Sequence, residues 1–510
     1  MRRATTPCKP RCGNLLRAAL LSGAGTVSGS ACAHGFGQRY DLPVPLWLYL
    51  TGAAAAVAVS FVIMAAFGQR GSALANYSRI DLLRSRIGQA VAHPWVLACC
   101  RVAAVALFLL VLVAGFFGHP APVKNIAPLM VWAIWWVGMA YVSALLGNVW
   151  TLINPLDTAF AWAASVYSRV RRGAALSLGV RYPPALAMWP AVALFFAFAW
   201  AELVWEQSDV PANVATAMLV YCAITWTGMF IFGREIWLER GETFALIFAL
   251  LARFAPLDVR AAKARCACNL RPYAVGLLVD EPAHPSQMVL VLLILATVTF
   301  DGFMETPLWT AIADGTRQWL SALAIRPADD DLRAVVATLG LAVFALSFLS
   351  VYVSCAWLIA RCAGAGADAG GPPPTRYEAF RIARFFIFTL VPIAIGYHLA
   401  HYLSFLVMAG QYLIPLASDP LGLGWDLFGT TLYIVKIGIV DARFVWFASV
   451  TAIVIGHVAA VYLAHAMALR IFRDKRAALR SQYPMLALMI GYTMVSLWII
   501  AQPIVNSRPG

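Results

Sequence analysis

Charge is what this 510-residue chain has least of. Asp, Glu, Lys and Arg together make up 12% of it, against about 25% in soluble proteins. Hydrophobic residues make up 62%. A soluble core could not absorb so much apolar surface, because the buried fraction grows slowly with chain length; a bilayer can. The sequence also lacks a P-loop, a G-x-S-x-G elbow and an H-E-x-x-H helix, so ATP-driven transport and the common hydrolase chemistries have no support in it. No repeat of fixed period is visible. Of the ten cysteines, Cys8, Cys12 and Cys32 lie in the leader, Cys99, Cys100, Cys222 and Cys355 in apolar runs, and Cys266, Cys268 and Cys362 in loops assigned to the inner side. None is left for the outer side, which excludes a disulfide framework there. The pair Cys266-Ala-Cys268 is too short a pattern to specify a metal by itself.

Long apolar runs take the place of charge. Crossing a hydrocarbon core of about 30 Å needs about 20 residues. Ten runs approach or exceed that length: 46–67, 95–117, 127–147, 185–204, 213–233, 287–304, 335–359, 385–408, 444–467 and 485–504. The fold class that follows is all-α, a polytopic transmembrane helix bundle of about ten spans. Ahead of it, residues 1–33 carry Arg2, Arg3, Lys9, Arg11 and Arg17, then a modest apolar stretch, then Ala31-Cys32-Ala33. That is the layout of a cleavable secretion signal. Removal would leave His34 as an outer N-terminus, and a free amine beside an imidazole is a copper chelate; a coincidental His after the signal is the plainer reading.

With His34 outside, both ends of the mature chain, 34–510, lie outside. The segments that fall inside then carry 24 Lys or Arg and those outside carry 8. That excess satisfies the positive-inside rule. It also explains the net charge of +14 as a topology determinant facing anionic lipid, with no call for nucleic acid as partner. Residues 241–256 form a short apolar segment ended by Arg253 and Pro256, an interfacial or re-entrant helix on the inner face. Residues 364–376, with Gly370-Gly371-Pro372-Pro373-Pro374, read as a flexible inner linker. Arg234, Glu235, Glu239 and Arg240 are expected to pair with one another at an inner turn.

Ionisable residues within membrane spans are functional candidates, because burying them is costly. Four of the eight histidines fall in two consecutive spans. His398 and His401 stand at i and i+3, on one helix face. His457 and His465 are eight residues apart, about 12 Å along the axis, so one ion cannot hold both. Counting depth along the helices lets His398, His401 and His457 share the middle to outer half, with His465 nearer the inner surface. Three imidazoles with an open position suit zinc or copper. One His from each helix suits a haem iron. Hydrogen bonds to neighbouring helices are the third reading. Asp301 closes the sixth span near the outer face, placed to act as a base, to orient a histidine, or to sit in water. The turn-rich outer loop Ser418–Gly429 follows the His-bearing span, and its Asp419, Trp425 and Asp426 could cap a pocket there.

Several of these segments carry a family resemblance. His34-Gly35 with Asp41-Leu42-Pro43-Val44-Pro45-Leu46-Trp47, Phe300-Asp301-Gly302-Phe303, Ala400-His401-Tyr402, Ser418-Asp419-Pro420 through Gly424-Trp425-Asp426-Leu427-Phe428-Gly429, and Gly456-His457-Val458-Ala459 with Ala464-His465 resemble the bacterial membrane proteins called fenitrothion hydrolases. The resemblance spans most of the mature chain. It implies a multi-pass protein of the bacterial inner membrane that hydrolyses a lipophilic organophosphorothioate triester to a nitrophenol and a dialkyl thiophosphate, and it brings no catalytic residues with it. A metal held by His398, His401 and His457 could activate the attacking water, with Asp301 as base. A metal-ion or small-solute permease with a relay from His457 to His465, and a haem-b protein, are the competing readings.

Overall fold

The structure is a computed structural model that describes residues 45–67, 79–261, 266–322, 329–364, 375–436, 438–472 and 474–502. The signal segment and His34 lie outside these residues. The described helices of seven residues or more are α1 Leu46–Phe67, α2 Pro94–Phe117, α3 Ile126–Leu145, α4 Pro155–Val170, α5 Trp189–Leu203, α6 Pro211–Phe232, α7 Arg234–Arg240, α8 Thr243–Ala252, α9 Pro285–Met304, α10 Pro307–Ala322, α11 Asp329–Gly364, α12 Arg376–Gly410, α13 Ala442–Ile471 and α14 Lys475–Ala501. Among the described residues, nine helices are long and apolar enough to cross a membrane. The protein is an all-α polytopic bundle embedded in lipid.

The tenth crossing is α5, which is too short to be recognised by length. Its 15 residues rise about 22 Å. Its identity as a span follows from the loops. One small antiparallel sheet, in the order β1-β3-β2, joins β1 Ile80–Asp81 to β3 Cys266–Leu270 and β2 Leu257–Ala261. The Leu257 N–H donates to the Leu146 carbonyl at 3.0 Å. Arg234 Nη2 donates to Asp157 Oδ2 at 2.7 Å, and that carboxylate holds the guanidinium above its ordinary range. Arg470 pairs with Asp280 at 3.1 Å. The Ala283 N–H donates to the Arg384 carbonyl at 3.0 Å, while the Arg384 side chain returns to the Ala283 carbonyl. All five basic segments therefore meet at 234–286, on one side of the bundle. Since 146–184 and 234–286 share that side, the chain between them crosses an even number of times. The α6 helix crosses once, so α5 must cross too. Its first turn sits at the basic side, where the Met188 N–H donates to Ser286 Oγ at 3.1 Å. Its far end meets α11 through Trp200 Nε1 and Thr338 Oγ1 at 2.8 Å.

Several boundaries differ from the sequence expectation. Arg234 pairs with Asp157 in the first turn of α4, with Glu235 adding favourable charge beside it. Cys362 is in the last turn of α11, which runs on to Gly364. The linker expected over 364–376 ends by Thr375, whose hydroxyl and Glu378 form a reciprocal capping box that starts α12 at Arg376; residues 365–374 lie outside the described residues.

The 241–256 segment is re-entrant. The chain turns back at Gly233, climbs as α7 along α6, and breaks at Gly241. Then α8 descends to the basic side. Its first residue but one, Phe244, packs on Trp135, Trp136 and Tyr221 in the middle of α3 and α6. Glu242 is fully buried at this reversal. Its carboxylate accepts from the Tyr221 hydroxyl and from the Phe244 and Ala245 N–H groups, so the unpaired donors at the start of α8 are met inside the protein. At the other end, Arg271 donates to the Ala252, Arg253 and Ala255 carbonyls and closes the C-terminus. An interfacial helix would expose one face; α8 buries Phe244, Ile247, Phe248 and Leu251. On the opposite side of the bundle α10 does lie amphipathically, with Trp309 and Leu320 packed inward and Leu308, Ile312 and Trp319 exposed.

Two helices, α9 and α12, have 78% of their apolar window buried, so side chains on them face protein more than lipid. The α12–α13 pair is closest. A Cβ at Gly396 would stand 2.6 Å from the Ala452 carbonyl oxygen, and one at Gly456 would stand 2.5 Å from that of Pro392. Small residues permit this approach, and dispersion across it holds the helices where no hydrophobic force acts between them. We therefore expect Gly396→Val and Gly456→Val each to destabilise the bundle by about 1–3 kcal/mol, seen as a lowered thermal midpoint in detergent. An unchanged midpoint in both would mean that the crossing is loose.

Candidate functional site

The polar groups cluster where α9 ends against α12. Asp301 occupies the last turn of α9 and is 5% exposed. Its Oδ2 faces His401 Nε2 at 3.0 Å and accepts from the Tyr402 hydroxyl at 2.7 Å. A carboxylate here cannot be hydrated as in water, and paired donors are what make its burial tolerable. With Nε2 carrying the proton toward Asp301, the lone pair of His401 is on Nδ1. A Cβ at Gly302 would stand 2.6 Å from the Tyr397 hydroxyl and 3.5 Å from His401 Cε1. Glycine at 302 thus lets Tyr397 and His401 close on the end of α9. The α12 backbone is fixed from both sides: the Tyr141 hydroxyl donates to the Leu399 carbonyl at 2.6 Å and Ser449 Oγ to that of Ala400 at 2.9 Å.

His398 and His457 lie near this pair but face different neighbours. The His398 ring stands against Trp136, Tyr141 and Tyr402, and it lines a small, almost wholly apolar cavity with Trp136, Ile247, Leu251, Val298 and Ala394. Trp136 belongs to the π-helical stretch Leu129–Gly138 of α3, an irregularity frequent at functional sites. His457 Nδ1 meets the Ile453 carbonyl at 2.9 Å, and its ring lies 5.7 Å from that of Tyr492, whose hydroxyl bonds Thr299. Buried here without a hydrogen-bond partner are Trp136 Nε1, Tyr397 Oη, His398 Nε2 and His457 Nε2.

The structure thus brings Asp301 and His401 together and does not gather the three histidines around a point. Among the described residues, no group of three or more His, Cys, Asp and Glu side chains is arranged to hold a metal ion. At the level of Gly396 and Gly456 the backbones of α12 and α13 are in contact. His465 is buried nearer the basic side, with Nδ1 2.9 Å from Gln482 Oε1. In the loop after α12, Asp419 accepts from the Leu423 and Gly424 N–H groups at 2.9 and 2.7 Å, and Asp426 from that of Thr431 at 3.2 Å. These carboxylates shape their own loop, and Trp425 is exposed. The loop docks on the α2–α3 connection, where the His119 and Ile126 N–H groups donate to the Leu421 and Pro420 carbonyls.

Sequence reasoning missed Tyr397, Tyr402, Tyr492 and Glu242. The first two flank the histidines in Tyr397-His398-Leu399-Ala400-His401-Tyr402, and Tyr402, one residue after His401, was legible as a partner. Tyr492 and Glu242 carried no local signal.

No protein-family model, curated protein or solved structure matches the chain. Replacing Asp301 by Ala strands His401 and Tyr402, and it should cost about 3–5 kcal/mol. Tyr402→Phe removes one hydrogen bond and should cost about 1 kcal/mol. Thermal denaturation of the two variants side by side checks the order; equal losses would mean that the carboxylate is not the organising group.

Proposed function

We propose that this chain is a multi-pass hydrolase of the bacterial inner membrane that cleaves neutral, lipophilic organophosphorus triesters of the fenitrothion type at the Asp301–His401–Tyr402 cluster. The observation that carries the reading is the buried Asp301 carboxylate paired with His401 at the end of α9 away from the basic side. The positive-inside rule makes that end the outer one. The resemblance of the surrounding segments to fenitrothion hydrolases supplies the substrate class, and such triesters partition into the bilayer that surrounds the cluster.

The chemistry needs few parts. His401, held by Asp301, takes a proton on Nδ1 as the oxygen of a water attacks phosphorus. The new P–O bond forms as the P–O bond to the aryl group breaks, and the nitrophenolate leaves with the electron pair. Asp301 fixes the histidine tautomer and stabilises the imidazolium, as the acid does in a catalytic triad. The Tyr397 hydroxyl, which has no partner, can donate to the developing charge on the phosphoryl sulfur or oxygen. No step is routed through a metal. The permease reading is supported less. His457 and His465 are separated by about 12 Å of helix, and the intervening Ala460, Val461 and Ala464 are buried and apolar.

Purified protein in lipid nanodiscs should release nitrophenol from a dialkyl nitrophenyl thiophosphate. Asp301→Asn and His401→Gln should each lower kcat by about a hundredfold or more. Absence of release by the unaltered protein would end the hydrolase reading. Full activity in His401→Gln would remove the base, and stoichiometric zinc or copper with chelator-sensitive turnover would move the chemistry to a metal centre.

A further inference from the structure

The connection between α12 and α13 turns its apolar side chains outward. Leu432 is 92% exposed and Ile434 82%, while Tyr433 and Val435 between and beside them are half-buried. On a segment facing water that outward set would be polar. Leu423, Trp425, Leu427 and Phe428 are exposed as well, and an apolar patch of this extent marks a contact surface. The backbone shows the opposite bias. The Leu423 and Gly424 N–H groups donate to Asp419, those of Phe428 and Thr430 to Ser418 Oγ, that of Thr431 to Asp426 and that of Lys436 to Gln411 Oε1. Polar side chains thus serve the loop's own backbone. Water makes no such demand on a loop, whereas lipid, which offers no hydrogen bonds, does.

Helix lengths give the level of this connection. The α12 and α13 backbones touch at Gly396 and Gly456. On the basic side, Arg384 and Arg470 lie about 18 and 21 Å from that contact, at about 1.5 Å per residue. Gln411 and Asp441, which bracket the connection, lie about 22 Å from it the other way. The contact is therefore near the mid-plane. The connection starts and ends at headgroup depth, since half a bilayer with its headgroups measures about 20–22 Å. Its apolar face continues onto α13, where Phe444, Phe447 and Ile455 are exposed.

We propose that this connection lies along the outer leaflet and inserts Leu427, Phe428, Leu432 and Ile434 past the phospholipid headgroups into the ends of the acyl chains beneath. Trp425 then sits at the interfacial level that suits an indole, and the exposed Lys436 can lay its stem along the apolar layer and reach phosphate with its ammonium. The occupant is phospholipid, because the face is continuous with the lipid-facing wall of α13 and its backbone donors are already engaged. The contact is separate from any hydrolysis at Asp301 and is measured without turnover.

The full chain, carrying p-benzoylphenylalanine in place of Leu432 or of Phe428, is irradiated in nanodiscs of phosphatidylethanolamine and phosphatidylglycerol and weighed intact. Ile455, exposed on the wall of α13, is replaced in the same way as the reference for contact with lipid. Both loop variants should gain the mass of one phospholipid, as the Ile455 variant does. All three positions are exposed, so the substitutions leave the core as it is, and the two loop positions report independently. No lipid adduct at either loop position, with the Ile455 variant still forming one, would overturn the proposal. So would a gain equal to a second copy of the chain, which would make this face an interface between protomers.

Discussion

A carboxylate buried at the end of a membrane helix must find its donors inside the protein, and Asp301 finds two on the same neighbouring helix. That requirement orders much of what surrounds it. His401 and Tyr402 can both reach one oxygen only because they are adjacent on α12, and α12 can come close only because residue 302 is glycine. The position of α12 is set in turn by Gly396 against α13 and by hydrogen bonds from Tyr141 and Ser449 to its carbonyls. Lipid offers no alternative partner for any of these groups, so the polar contacts fix the register of α9, α12 and α13 more firmly than interchangeable apolar packing would.

The same constraint governs the re-entrant hairpin. A helix that starts inside the bundle exposes unpaired N–H groups where there is no water. Glu242 satisfies them from below and is itself held by Tyr221. The α8 helix then forms one wall of the cavity that His398 lines. The two buried carboxylates thus do comparable structural work, but only Asp301 is joined to a histidine. The basic loops meet on the opposite side around 234–286, which separates the arginine-rich surface from the polar cluster.

Much of the architecture was legible in the sequence, because lipid imposes length and hydropathy on each span and charge on each loop. The charge asymmetry anticipated which loops share a side, and the hub at 234–286 joins those same loops. The 15-residue α5 was legible as apolar but falls short in length, and only the loop pairing shows that it must cross. For the site, spacing placed His398 and His401 on one face, and Asp301 was legible as a carboxylate near the outer end of its span. What the pattern could not carry was rotation about each helix axis. Three residues along an α-helix turn by about 60° from alignment, enough for His401 to meet Asp301 while His398 meets Trp136. Glycine-mediated contact between α12 and α13 then directs His457 toward Tyr492. Glu242 was missed because a lone acid before an apolar run reads as an interfacial boundary until the run is seen to start inside the bundle.

In the proposed reaction, water activated beside Asp301 attacks phosphorus in a substrate drawn from the bilayer. Turnover of a dialkyl nitrophenyl thiophosphate in H₂¹⁸O, by protein in nanodiscs, tests it most directly. Mass spectrometry of the products should find one ¹⁸O in the dialkyl thiophosphate and none in the nitrophenol. Label in the nitrophenol, or no product above that formed by protein-free nanodiscs, would contradict it.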